Sequence, residues 1–243
     1  MKKILFIVVF VFSNSVLAGI LEDESLFARV MQPLGITESD MCAAVEKPLP
    51  YDDGLSVVVI PQRVDEEDDE GTSLFFHVLV IDNASLELRA RFQERREFDA
   101  IGFDRVGIDT ANYRLNDQTR AFGVRLHVKN SSSVNPYSST SLSLFVLDKD
   151  KNALRRVLRG FEVSSSSAEW DGTCAGVFFS REGTLAMSRQ KTRGFNDIIV
   201  KIRNTERVTR LGADGECVDK ENRGAAPDMS LKFNGEEYMP EQP

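Results

Sequence analysis

The sequence predicts a mainly β protein: an antiparallel β-sandwich or small propeller-like array with a short helical N-terminal segment. Three observations predict it. From Leu55 onward, short runs of β-branched and aromatic residues recur along the chain. Turn-forming residues separate those runs at short intervals. No regular alternation of strand and helix patterns appears, as a parallel sheet would need.

The helical segment spans 19–50. Leu26, Phe27, Val30, Met31 and Leu34 recur at helical spacing, and Pro33-Leu34-Gly35 breaks the run. Thr37 or Ser39 can cap a short second helix through Met41, Ala44 and Val45. Residues 47–54, KPLPYDDG, read as a connector, because two prolines and Asp-Gly oppose both helix and strand. The β body then fills 51–243, as one domain or two subdomains.

Leu55–Pro61 and Leu74–Ile81 are nearly continuous apolar runs. In Leu86–Phe92, apolar Leu86, Leu88, Ala90 and Phe92 alternate with Glu87, Arg89 and Arg91, the mark of a half-buried strand. Further strands are expected at Phe122–Val128, Leu142–Leu147, Leu154–Val163, Gly176–Phe179, Thr184–Ser188, Phe195–Arg203, Arg207–Leu211 and Met229–Phe233. Arg181-Glu182-Gly183 and Asp148–Asn152 read as turns, and Asn234-Gly235 as a two-residue hairpin. The serine patches 131–133 and 164–167 read as loops or polar strand edges.

The first residues form an export leader. Lys2 and Lys3 precede nine apolar residues, Ile4 to Phe12, and Val16-Leu17-Ala18 suits a cleavage site after residue 18. The apolar run is too short to span a bilayer. The expectation is a periplasmic protein of about 225 residues, with no membrane insertion after cleavage. Losing the two lysines takes the net charge from −8 to about −10. That balance argues against nucleic acid and anionic lipid and suits a basic partner.

Of the three cysteines, two sit in matching fragments, Asp171-Gly172-Thr173-Cys174 and Asp214-Gly215-Glu216-Cys217. In an oxidising compartment the expected disulfide is Cys174–Cys217. Pairing of Cys42 with either of the others stays open on sequence alone.

Residues with chemical potential are few. The run Asp65, Glu66, Glu67, Asp68, Asp69, Glu70 is a candidate docking patch for a basic partner, or else a solvated loop between two hydrophobic strands. Its consecutive acids lack the spacer residues of a calcium loop. Asp148-Lys149-Asp150-Lys151-Asn152 alternates like a calcium loop, but Ala153 and Arg159 stand where Gly and Glu are needed. His77 and His127 fall inside predicted strands without metal-ligand spacing. Neither a P-loop nor G-x-S-x-G occurs. No catalytic group, metal or cofactor is assigned. Tyr137, in a polar loop between serines, and Trp170, the single tryptophan, are the aromatic candidates for binding.

Gly194-Phe195-Asn196-Asp197-Ile198-Ile199-Val200 resembles the strand-entry half of the FG-GAP pattern. Ser188 to Arg193 replaces the acidic half that supplies calcium ligands there. With the leader, the D-G-x-C fragment and the final L-K-F-N-G-E-E-Y, the chain resembles exported proteobacterial β-rich proteins, some similar to periplasmic lysozyme inhibitors and to immunity-type proteins against cell-wall hydrolases. The resemblance implies a non-enzymatic periplasmic binding protein, an inhibitor or immunity-type partner of a basic cell-wall hydrolase. The alternatives are a glycan hydrolase with paired carboxylates, or a structural component of the envelope.

Overall fold

The computed structural model describes residues 19, 21, 24–37, 43–64 and 72–241. Residues 1–18, read as an export leader, together with Cys42 and the acidic run Asp65–Glu70, lie outside the described residues. The described chain is dominated by antiparallel strands in two sheets, a sandwich rather than a propeller-like array. No helix among these residues is long and apolar enough to cross a membrane.

The N-terminal helix, α1 (Glu24–Met31), places Phe27, Val30 and Met31 on one stripe. A 3-10 turn, Gln32–Leu34, follows at Pro33 and ends at Gly35, whose φ is 69°. The second helix expected through Val45 does not reach that residue. Instead Val45–Leu49 is strand β1, paired with β2 (Asp52–Arg63). The stretch read as a connector is therefore an edge strand and the start of its neighbour. Pro48 is tolerated there because an edge strand can spare one ladder donor.

The first sheet has the order β1-β2-β3-β4, with β3 at Thr72–Asp82 and β4 at Leu88–Phe98. Its central strands are buried on both faces, which explains their continuous apolar runs. Val58, Ile60, Leu79 and Ile81 pack against Phe27, Val30, Met31 and Ile36. Val57, Val59, Val78 and Val80 face the second sheet.

That second sheet comprises β5 (Gly102–Arg114), β6 (Arg120–Lys129), β7 (Tyr137–Asp148), β8 (Ala153–Trp170), β9 (Gly176–Thr192), β10 (Phe195–Leu211), β11 (Cys217–Ala225), β12 (Met229–Phe233) and β13 (Tyr238–Pro240). Its path is β13-β12-β10-β9-β8-β7-β6-β5, with β11 also paired to β10. Phe122, Val124, Leu126 and Phe145 meet the first sheet. The opposite face of the same strands carries Ala121, Leu142, Leu144 and Val146. These pack with Ile198, Val200, Ile202, Leu231, Phe233 and Tyr238, so the sheet curls over itself and encloses a second core.

β9 and β10 each run unbroken for 17 residues. Both had read as two short strands, and Arg181-Glu182-Gly183 as a turn. Gly183 continues the ladder opposite Ile202. The turn between β9 and β10 is Arg193-Gly194, with φ of 49° and 86°. Asn196 turns away from its own backbone: its side-chain amide donates to Arg114 O at 2.9 Å and its backbone N–H to Leu115 O at 2.6 Å. The last hairpin forms as expected but with four loop residues, since Phe233 pairs with Tyr238. Asn234 Oδ1 closes it by accepting the backbone N–H groups of Glu236 and Glu237.

His77 is fully buried in β3. One nitrogen, Nδ1, receives Arg91 Nη2 at 3.1 Å and the other, Nε2, meets Gln62 Oε1 at 2.9 Å. Because a guanidinium can only donate, Nδ1 is the acceptor and the ring is neutral. Burial, and then the Arg91 charge, push its pKa down to about 4. The unfolded chain binds this proton near 6.5, so stability is complete above that pH and falls as pH drops toward 4. The expected loss is about 3 kcal/mol by pH 4. Urea midpoints of wild type and His77→Gln, measured at pH 7 and pH 4.5, check it: the His77-dependent part of the drop disappears in the variant, and equal drops would refute the assignment.

Candidate functional site

The long strands β8, β9 and β10 outrun both cores. Among the described residues, nothing in 164–182 or 203–225 belongs to any hydrophobic core cluster. These segments pair with one another and form an arm. Across it, Tyr137–Thr140 of β7 pairs with Ser164–Ser167, Ser164–Trp170 with Gly176–Glu182, and Arg203–Leu211 with β11. The serine patch 164–167 is thus a strand at the root of the arm, and 131–133 is a loop. Ala168 N–H donates to Pro136 O at 3.0 Å and Trp170 N–H to Val134 O at 2.9 Å, so that loop runs along the arm.

The two D-G-x-C fragments build the tip. Asp171 Oδ1 accepts the N–H groups of Thr173 and Cys174 at 2.8 and 2.9 Å. Asp214 Oδ1 accepts that of Glu216 at 3.2 Å. Gly172 and Gly215 occupy the left-handed region at φ of 84° and 82°, where a side chain is strained. Two like turns therefore stand side by side, and the Cys174–Cys217 disulfide joins them with Cα atoms 5.7 Å apart. The backbone N–H of Thr173 leads the hydrogen bonds that hold the Asp171 carboxyl below its usual range.

Apolar groups that would normally be buried stand open here. Leu211 is 66% exposed, Val218 55% and Phe179 49%. Leu211 pairs with Cys217 and Val218 with Arg210, so the two stand on opposite faces of the tip, whose turns expose Asp171, Asp214 and Glu216.

Directly paired residues of neighbouring strands share a face. On one face a row runs Tyr137, Ser167, Phe179, Glu206, Asn222. The adjoining row is Ser139, Ser165, Arg181, Asn204, Gly224. All of these residues except Ser139 line a recess of about 530 Å³. The other face carries Ala168, Phe178, Arg207 and Glu221, with the Arg207 guanidinium 4.3 Å above the Phe178 ring. Trp170 lies on that second face, opposite Gly176, where a Cβ would come within 2.9 Å of its ring. Tyr137 and Trp170 are thus both on the arm, but on opposite sides.

Sequence reading missed Phe179, Glu206, Asn222, Leu211 and Val218. Val177-Phe178-Phe179 carried a signal, since adjacent aromatics in a strand must face opposite ways. Residues 217–225 carried none, having no apolar period at all.

Asp197 is 2% exposed, at a bulge between Asn196 and Ile198. Its Oδ1 has no partner among the described residues, and no group of three metal-ligating side chains gathers there or elsewhere among them. The carboxylate instead faces Tyr238, whose hydroxyl donates to Asn196 O at 2.7 Å and is held neutral, first by burial and then by Asp197. Asp197 thus belongs to the packing of the β10 bulge. No family model, no curated protein and no solved structure matches this chain.

Proposed function

We propose that this chain is an exported, non-enzymatic binding protein whose arm tip docks a basic protein, a cell-wall hydrolase being the partner class the sequence resemblance implies. The supporting observation is the disulfide-tied tip, which projects beyond every core with Leu211 exposed on one face, Val218 on the other, and Asp171, Asp214 and Glu216 exposed in its turns. A narrow tip with one aliphatic side chain on each face and carboxylates at its turns suits insertion between the walls of the open cleft of a cationic enzyme. Apolar anchors supply binding energy while the charges guide approach. The overall negative charge acts in the same direction.

Capture from periplasmic extract, together with inhibition assays on a lysozyme-type hydrolase, tests it. The wild-type chain is expected to enrich a basic hydrolase and slow its turnover. The double variant Leu211→Asp, Val218→Asp is expected to weaken capture at least tenfold, with an unchanged melting temperature. If no basic hydrolase is enriched and lysozyme stays fully active, the proposal fails.

A further inference from the structure

We propose that the recess between Tyr137 and Phe179 on the arm is a binding site for a short neutral oligosaccharide. This site is separate from the tip and does not depend on docking of a basic protein.

Its walls come from register. Tyr137, Ser167 and Phe179 stand opposite one another on three consecutive strands. Tyr137 and Phe179 are therefore two strand spacings apart, roughly 10 Å. Ser167 between them, with Ser165 in the next row, is too small to fill the gap. Two aromatic side chains thus flank a trough floored by serines, and Phe179 is 49% exposed rather than packed. Aromatic faces flanking a shallow polar floor match a pyranose, which presents flat C–H surfaces ringed by hydroxyls.

Ser165, Ser166 and Arg223 in the lining are bonded to Glu162, Ser138 and Glu221, but four other polar side chains around the trough are unspent. Arg181, Asn204, Glu206 and Asn222 line it. None of the four has a side-chain hydrogen bond or ion pair among the described residues, unlike the arm's turn-capping acids. Two amides, a guanidinium and a carboxylate together offer both donors and acceptors, as hydroxyls require. Arg181 and Glu206 cancel in charge and Arg223, also in the lining, is ion-paired to Glu221, which favours a neutral ligand over an ionic one. An extended peptide fits less well. The sheet's own backbone groups are engaged in its ladders, so a peptide lying on this face would leave its N–H and C=O groups against rings and serines.

Calorimetric titration of the full chain tests this with a panel of neutral tetrasaccharides built from glucose, galactose and N-acetylglucosamine. At least one member is expected to show saturable one-to-one binding. Phe179→Ala and Asn222→Ala are each expected to weaken it about tenfold. Both residues are exposed, so folding is retained. The tip variant Leu211→Asp, Val218→Asp is expected to bind sugar as the wild type does, which separates this site from hydrolase docking. No binding by any panel member overturns the assignment. So does binding that survives both substitutions, or binding only by a neutral Ser/Asn decapeptide run as the control.

Discussion

Replacing Cys174 and Cys217 together by serine is expected to destabilise the protein by about 4 kcal/mol, the chain-entropy value for a loop of this length. The crosslink spans 43 positions and encloses all of β9 and β10, so the unfolded chain loses much freedom when it is closed. The effect is not spread evenly. Residues 164–182 and 203–225 have no core to fall back on, and only ladder hydrogen bonds would hold the tip turns together. Hydrogen exchange should therefore rise first in 176–182 and 204–225, while Ile198–Ile202 stays protected. Guanidinium titration reads the total, and exchange mass spectrometry reads its distribution. An unchanged midpoint with unchanged protection at the tip would show that the arm stands without its disulfide.

The second large effect is expected at Glu94, where the two sheets are clasped. Arg156 on β8 has a side chain only 7% exposed and is ion-paired to Glu94 on β4. Its guanidinium also lies 4.9 Å above the Phe92 ring. Glu94 in turn accepts Arg96 Nε at 3.1 Å. Glu94→Ala leaves the Arg156 charge buried without its counter-ion, which is expected to cost about 3 kcal/mol. The double variant Glu94→Leu, Arg156→Met removes both charges together and is expected to cost less than Glu94→Ala alone. The reason is that the penalty comes from stranding one charge rather than from losing the pair. A double-mutant cycle over Glu94→Leu, Arg156→Met and the two together, read by urea denaturation, decides it. Strictly additive single and double effects would mean the pair is not coupled.

The legible parts of the fold are those where burial or turn chemistry writes itself into the residue order. Leu55–Pro61 and Leu74–Ile81 are apolar but for Ser56 and His77 because both faces are covered, one by the N-terminal helix and one by the second sheet. Of the alternation expected over Leu86–Phe92, only Ala90 and Phe92 turn inward in β4: Leu86 sits in the preceding turn at a φ of 60° and Leu88 at the strand's start is exposed. The twin Asp-Gly turns pointed to the disulfide, because like turns at like offsets can place two Cβ atoms together. Tyr137 and Trp170, aromatics in polar surroundings, both fall on the arm but on opposite faces. The trough that Tyr137 helps to line was not visible in the same way. It exists only through pairing with Phe179, Glu206 and Asn222, on strands distant in sequence.

By itself, the sequence determined the strand-rich class and the positions of most turns, and it pointed to Cys174–Cys217 as the disulfide without excluding Cys42. Each of these depends on neighbours a few residues away, or on whether a side chain meets water. The tertiary structure alone decided that β9 and β10 run unbroken from core to arm, that CVDKENRGA is a strand, and that aromatic, amide and charged groups share one face. Those features follow from backbone ladders between distant segments, which any exposed polar residue can join without leaving a periodic mark.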